Sequence, residues 1–164
     1  MNVRDIISAA KGDQPVDLVL KGGRLIDVFS GEIRGEDIAI HKGYVVGFGK
    51  YRAKKTINLK GNYIAPGFID GHVHVESSML STSEFARALV TRGVTSVVTD
   101  AHEIANVLGI DGIKYMLESS KNQPLNIFFM LPSCVPATKL ETAGARLSGF
   151  DLYPFLREKW VVGL

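Results

Sequence analysis

One cysteine, Cys134, is all that the 164 residues contain. A disulfide framework within the chain is therefore excluded, and the usage fits a reducing, cytoplasmic compartment. Cys134 lies between Pro132 and Pro136 with no histidine beside it in sequence. It reads as a small packed or loop thiol rather than a nucleophile. Long apolar runs are missing too. Nothing approaches the ~18 residues of a membrane span. Residues 1–13 include Arg4, Asp5, Lys11 and Asp13, which leaves no signal-peptide core. Nor does one sign of charge dominate: 19 Lys and Arg against 17 Asp and Glu give +2. The nearest thing to a basic cluster, Lys50, Arg52, Lys54 and Lys55, reads as a solvated loop, so nucleic acid is a poor partner.

What is there is an ordinary globular make-up, 46% apolar and 22% charged. Val3, Ile6, Ile7 and Ala10 fall at helical spacing and predict a short amphipathic helix packed on the body. From Asp17 to about Asn62, short apolar runs alternate with glycine turns. Gly22-Gly23 and Lys42-Gly43 read as hairpin turns, so residues 1–62 are expected to form a helix and a small antiparallel β unit. His41 falls in the second hairpin and reads as structural or solvent-facing.

Past Asn62 the pattern becomes strand, helix, strand. A strand leads into His72. A helix over Ser83–Val90 has Ser81, Thr82 or Ser83 as its N-cap, and Gly93 suits its left-handed exit. Strands follow at Val94–Thr99, Leu125–Met130 and Trp160–Leu164. Between them come a helix over His102–Glu118, weakened by Gly109 and Gly112, and a short one over Phe150–Glu158 broken near Pro154. This alternation implies an α/β chain with a parallel sheet. Four repeats predict part of a TIM-type (β/α) barrel over 63–164, and a complete one takes ~250 residues. The reading is therefore of half a barrel at most, the first part of a longer enzyme.

The chemistry concentrates in Pro66-Gly67-Phe68-Ile69-Asp70-Gly71-His72-Val73-His74-Val75-Glu76. Strand side chains alternate faces, so Asp70, His72, His74 and Glu76 are expected to share one face. Two imidazoles and two carboxylates pointing one way are costly to bury unless something pairs them. A divalent metal suits that donor set; a solvated strand face is the plainer alternative. A second polar cluster, Asp100-Ala101-His102-Glu103, follows the next strand. In a barrel it joins the same rim, as ligand, outer support or substrate contact. The alternative is that Asp100 caps the following helix.

Ala65-Pro66-Gly67-Phe68-Ile69-Asp70-Gly71-His72-Val73-His74 resembles the first barrel strand of the amidohydrolase superfamily. The β unit around Lys21-Gly22-Gly23-Arg24 resembles that superfamily's small β-sandwich. Within it, His74-Val75-Glu76-Ser77-Ser78-Met79-Leu80, the run from Asp100 to Gly109, and Leu131-Pro132-Ser133-Cys134-Val135-Pro136 resemble the bacterial and archaeal adenine deaminases. The resemblance implies hydrolysis of adenine to hypoxanthine and ammonia. It implies a binuclear centre of manganese, with iron or zinc as alternatives, and His72 and His74 as metal ligands. Glu76 and Glu103 are then catalytic or orienting candidates, and Asp70, Asp100 and His102 contact substrate or support the ligands. It further implies a cytoplasmic enzyme, homo-oligomeric at full length, whose remaining ligands lie outside these residues. Another amidohydrolase acting on a cyclic amide or an acetylated amino sugar, and a non-catalytic piece needing a partner chain, are the competing expectations.

Overall fold

The computed structural model describes residues 2–164. They form two compact units, one ending at Pro66 and the other spanning Gly67–Leu164.

The first unit opens with α1 (Val3–Ala10), whose residue Ala9 is buried against Val16, Val19 and Ala39. Val3 and Ile7 stay exposed, so the packed face is rotated away from half of the apolar stripe in the sequence. Seven strands follow: β1 (Val16–Lys21), β2 (Arg24–Ile26), β3 (Ile33–Arg34), β4 (Ile38–His41), β5 (Tyr44–Phe48), β6 (Ala53–Asn58) and β7 (Tyr63–Ile64). They make two sheets, ordered β5-β4-β1-β6 and β3-β2-β7. The β4–β5 hairpin forms as expected, with Lys42 and Gly43 both at positive φ, the backbone a tight two-residue turn requires.

Gly22-Gly23 does not make a hairpin. β1 pairs with β4 and β6, whereas β2 pairs with β3 and β7. Gly22 takes φ +66°, and a Cβ on Gly23 would meet Leu59 Cδ1 at 2.5 Å. The glycines thus let the chain step from one sheet to the other past Leu59. The unit is also mixed rather than antiparallel, because β1–β6 and β2–β7 are parallel. Those pairings join residues about 40 apart in sequence, beyond what turn chemistry specifies. Leu20, Leu25, Ile38, Ile40, Phe48 and Ile64, drawn from both sheets, line an apolar cleft of about 410 Å³.

His41 is 3% exposed, so it is structural and does not face solvent. Its Nε2 lies 3.0 Å from Asp5 Oδ2 on α1, and its Nδ1 lies 3.3 Å from Asp17 Oδ2 on β1. Lys42 Nζ is 2.7 Å from the same Asp5 oxygen. Lys42 first, then Gln14 and His41, hold the Asp5 carboxyl far below its ordinary 3.8. A depressed carboxyl contributes stability above its unfolded value and loses it as pH falls toward the folded one. Asp5→Asn is therefore expected to flatten the acid limb of α1 stability below about pH 4. Amide exchange of α1 against pH, variant beside parent, reads this; parallel acid limbs in the two would refute it.

The second unit contains β8 (Phe68–Val73), a 3-10 turn at Glu76–Ser78, α2 (Thr82–Val90), β9 (Val94–Asp100), α3 (His102–Leu108), α4 (Ile110–Ser119), β10 (Asn126–Met130), α5 (Gly149–Leu152), a 3-10 turn at Tyr153–Arg157, and β11 (Val161–Gly163). Its sheet runs β11-β10-β9-β8, every pair parallel. Val97 of β9 and Ile127 and Phe129 of β10 bury one face against Phe85, Ala86 and Met116 of the helices. Ser81 caps α2, its hydroxyl accepting the Glu84 N–H. The helix expected over 102–118 is two helices. Gly109 takes φ +60°, a conformation glycine adopts without steric cost. A Cβ on Gly112 would lie 2.7 Å from the Ile104 carbonyl oxygen, so the absent side chain lets α4 turn back closely over α3.

Candidate metal centre

β8 stops at Val73, and this decides which side chains meet. Val75 has helical dihedrals, φ −61° and ψ −40°, and is buried in the core with Phe85 and Val97. The strand alternation therefore ends before Glu76, which opens the 3-10 turn instead of sharing a strand face with His72 and His74. Asp70 turns to its own backbone, where Oδ1 accepts the His72 N–H at 3.1 Å.

His72 and His74 do converge. Their Nε2 atoms are 3.1 Å apart, with ring centroids 4.8 Å apart and planes at 82°. The orientation of His74 has a cause: its Nδ1 lies 2.8 Å from the Asp100 carbonyl oxygen at the end of β9. A carbonyl only accepts, so Nδ1 carries the proton and Nε2 of the neutral ring presents a lone pair. Two imidazole nitrogens at ~2.0–2.1 Å from one cation, separated by angles between square and tetrahedral, stand about 2.9–3.4 Å apart. The observed 3.1 Å fits that bite.

The second cluster is brought to the same place. The His102 ring stands 4.7 Å from that of His74, at 83°. Glu103 Oε2 is 3.5 Å from His74 Nδ1, and Glu103 Oε1 accepts the Ser77 hydroxyl. His102 Nδ1 lies 3.7 Å from Asp100 Oδ2, an ion-pair separation without a hydrogen bond. Donor atoms of His74, His102 and Glu103 all fall within 4.8 Å of one another. Three buried side-chain atoms of this second cluster have no hydrogen-bond partner: Asp100 Oδ1, His102 Nδ1 and Glu103 Oε2. Buried polar atoms in folded proteins are nearly always satisfied. Such a group of orphans, carboxylate oxygen and imidazole nitrogen, suits a divalent cation and its waters.

Asp100 is not the cap of α3; Ala101 holds that position and offers no side-chain acceptor. The acceptor comes from Glu76, whose Oε1 lies 3.3 Å from the Ile104 N–H. Desolvation, with a smaller contribution from the nearby Glu103 charge, pushes the half-buried Glu76 carboxyl above its ordinary value. Asp100, His102 and Glu103, expected from the sequence at the same rim as the histidine pair, stand beside His74. Ser77 carries no such signal in the sequence beyond membership of the Glu-Ser-Ser-Met run, because its contact with Glu103 depends on the turn after β8.

Residues 63–159 match the family model described as the amidohydrolase family. Over 162 residues the chain is 53% identical to adenine deaminase 2 of Carboxydothermus hydrogenoformans, covering 99% of this chain and 28% of that protein. It is 53% identical over 158 residues to the adenine deaminase of Bacillus velezensis, covering 96% and 27%. The chain thus spans little more than a quarter of the length of these curated relatives. Among solved structures, the N-acyl-D-glutamate deacylase of Bordetella bronchiseptica, complexed with zinc, superposes with a TM-score of 0.59 at 17% identity, over 85% of this chain and 34% of that one. A D-aminoacylase described as having a binuclear metal centre gives 0.57 at 23%, over 71% and 30%. At those identities the likeness is one of fold.

Proposed function

The chain belongs to the amidohydrolase family, and from that premise we propose that it is the N-terminal part of an adenine deaminase, which hydrolyses adenine to hypoxanthine and ammonia. The observation that carries the chemistry is the 3.1 Å approach of the His72 and His74 Nε2 atoms. The choice of adenine rests on the curated relatives at 53% identity. In this reading residues 1–62 contribute a β-sandwich domain and 63–164 the first half of a (β/α) barrel.

His72 and His74 hold one divalent cation of a binuclear centre, manganese by preference, with iron or zinc as alternatives. When bound, such a cation lowers the pKa of water so that hydroxide is available near neutral pH. The chain's own residues supply the rest. The Asp100 carbonyl fixes the tautomer of His74, as outer partners of ligating histidines commonly do. Glu103, beside that same N–H, orients the ring. Asp100 and His102 serve as substrate contacts or ligand supports, and Asp70 stiffens the approach to His72 by accepting the His72 backbone N–H. Adenine is the small-molecule partner, and the full-length enzyme is a cytoplasmic homo-oligomer. Among the described residues no helix is long and apolar enough to cross a membrane.

The test is direct. The full-length parent, loaded with manganese, is expected to convert adenine to hypoxanthine with release of ammonia, and to leave cyclic amides and acetylated amino sugars unchanged. Turnover of either alternative class without adenine turnover would overturn the assignment. The 164-residue chain alone is expected to show no turnover, because a catalytic centre usually takes three or more protein ligands and this chain's convergent pair supplies two. Ammonia released from adenine by the isolated chain would contradict that.

A further inference from the structure

The 3-10 turn after β8 and the start of α3 are joined twice. Glu76 Oε1 takes the Ile104 N–H at 3.3 Å, and the Ser77 hydroxyl donates to Glu103 Oε1. Helix α3 needs the first of these. Its N-cap is Ala101, with φ −90° and ψ +40° and no side-chain acceptor, while the opening amides of a helix have no partner within it. The acceptor that a Ser, Asp or Asn would ordinarily give from the N-cap arrives here from 28 residues earlier in the chain.

We infer that Glu76 is a positioning residue, neither metal ligand nor catalytic acid: by capping α3 from outside, it fixes Glu103 and His102 against His74. The inference rests on the reading of His72 and His74 as a metal pair and assigns Glu76 a part in that site. The chain of contacts is short. Glu76 holds the Ile104 amide, Glu103 precedes Ile104, and Glu103 Oε2 sits 3.5 Å from His74 Nδ1. The nitrogen so flanked also donates to the Asp100 carbonyl just before α3. If the first turn of α3 frays, Glu103 loses its fixed place beside His74, while Asp100 stays held in β9 by its pairing with Met130 of β10. Partners of that kind are worth about 10–100-fold in metal affinity. Acting one contact further out, Glu76 is expected to be worth about tenfold.

Reach and charge separate the roles. Glu76→Gln keeps an acceptor oxygen at the same reach and removes the charge. Glu76→Asp keeps the charge and shortens the reach by one methylene. In the full-length protein, two quantities are measured for parent and both variants: Co2+ affinity by calorimetry, and hydrogen exchange of the Ile104 amide. A positioning role gives near-parental values of both for Gln. For Asp it gives about tenfold weaker Co2+ binding and faster Ile104 exchange. A ligand or charge role gives the reverse order for Co2+ and overturns the inference. So does an Ile104 amide equally protected in all three proteins. A parent chain that binds no Co2+ would instead count against the metal pair itself, and the Ile104 exchange pattern would still decide whether Glu76 caps α3.

Discussion

Replacing His74 with alanine in the full-length parent is expected to lower kcat for adenine by about a thousandfold or more, because a metal centre supplies several kcal/mol of barrier reduction. The variant loses more than one donor. His74 Nε2 is half of the 3.1 Å pair, and its Nδ1 ties β8 to the end of β9 through the Asp100 carbonyl. Manganese content should fall with activity, and excess metal should restore little. His41→Gln is the control. That imidazole is buried, but it belongs to the other unit and lies beside Asp5 and Asp17. Its loss should touch stability and leave metal content intact. A His74→Ala enzyme retaining parental manganese-dependent turnover would end the metal reading.

The second large effect concerns the sheet that carries the pair. Phe129→Ala is expected to destabilise the Gly67–Leu164 unit by about 3–5 kcal/mol, the usual cost of emptying a buried aromatic site. Phe129 is 2% exposed and belongs to the cluster with Val97, Ile127, Phe85 and Met116. The single tryptophan reports on it conveniently: Trp160 packs against that core, with its ring 5.5 Å from Phe128. With urea slopes of about 1–3 kcal/mol per molar, the Trp160 transition should move about 2 M lower. Phe128→Ala, on the opposite face of the same strand and only partly buried, should cost clearly less. Equal shifts for the two would mean that the helices do not cover the side of β10 assigned to them.

Much of this was legible in the residues. The β-branched run Val94–Thr99 specifies β9, Ser81 specifies the start of α2, and Lys42-Gly43 specifies its hairpin, because each signal acts within a few residues of itself. The convergence of His72 and His74 was legible for the same reason. What misled were signals whose meaning depends on distant partners. Gly22-Gly23 looks like a hairpin turn until β6 and β7 arrive, more than 30 residues later, to take the neighbouring edges. The period-two pattern from Asp70 to Glu76 continues in sequence after the backbone has left the strand. Val75 finds a better place in the core, and the turn that puts it there redirects Glu76 to α3. Asp100, plausible as a cap by type and position, is instead the last residue of β9, one place before the N-cap Ala101, and an acceptor from elsewhere already serves the helix.

The two converging imidazoles are separated by a single residue. Their chelate ring therefore closes over a few backbone atoms, with almost no loop entropy to overcome. Only one further contact, to the end of the neighbouring strand, is needed to hold the second ring in its donor tautomer. On the proposed metal reading, these two donors would be in place as soon as β8 has docked on β9, before the rest of the site is assembled.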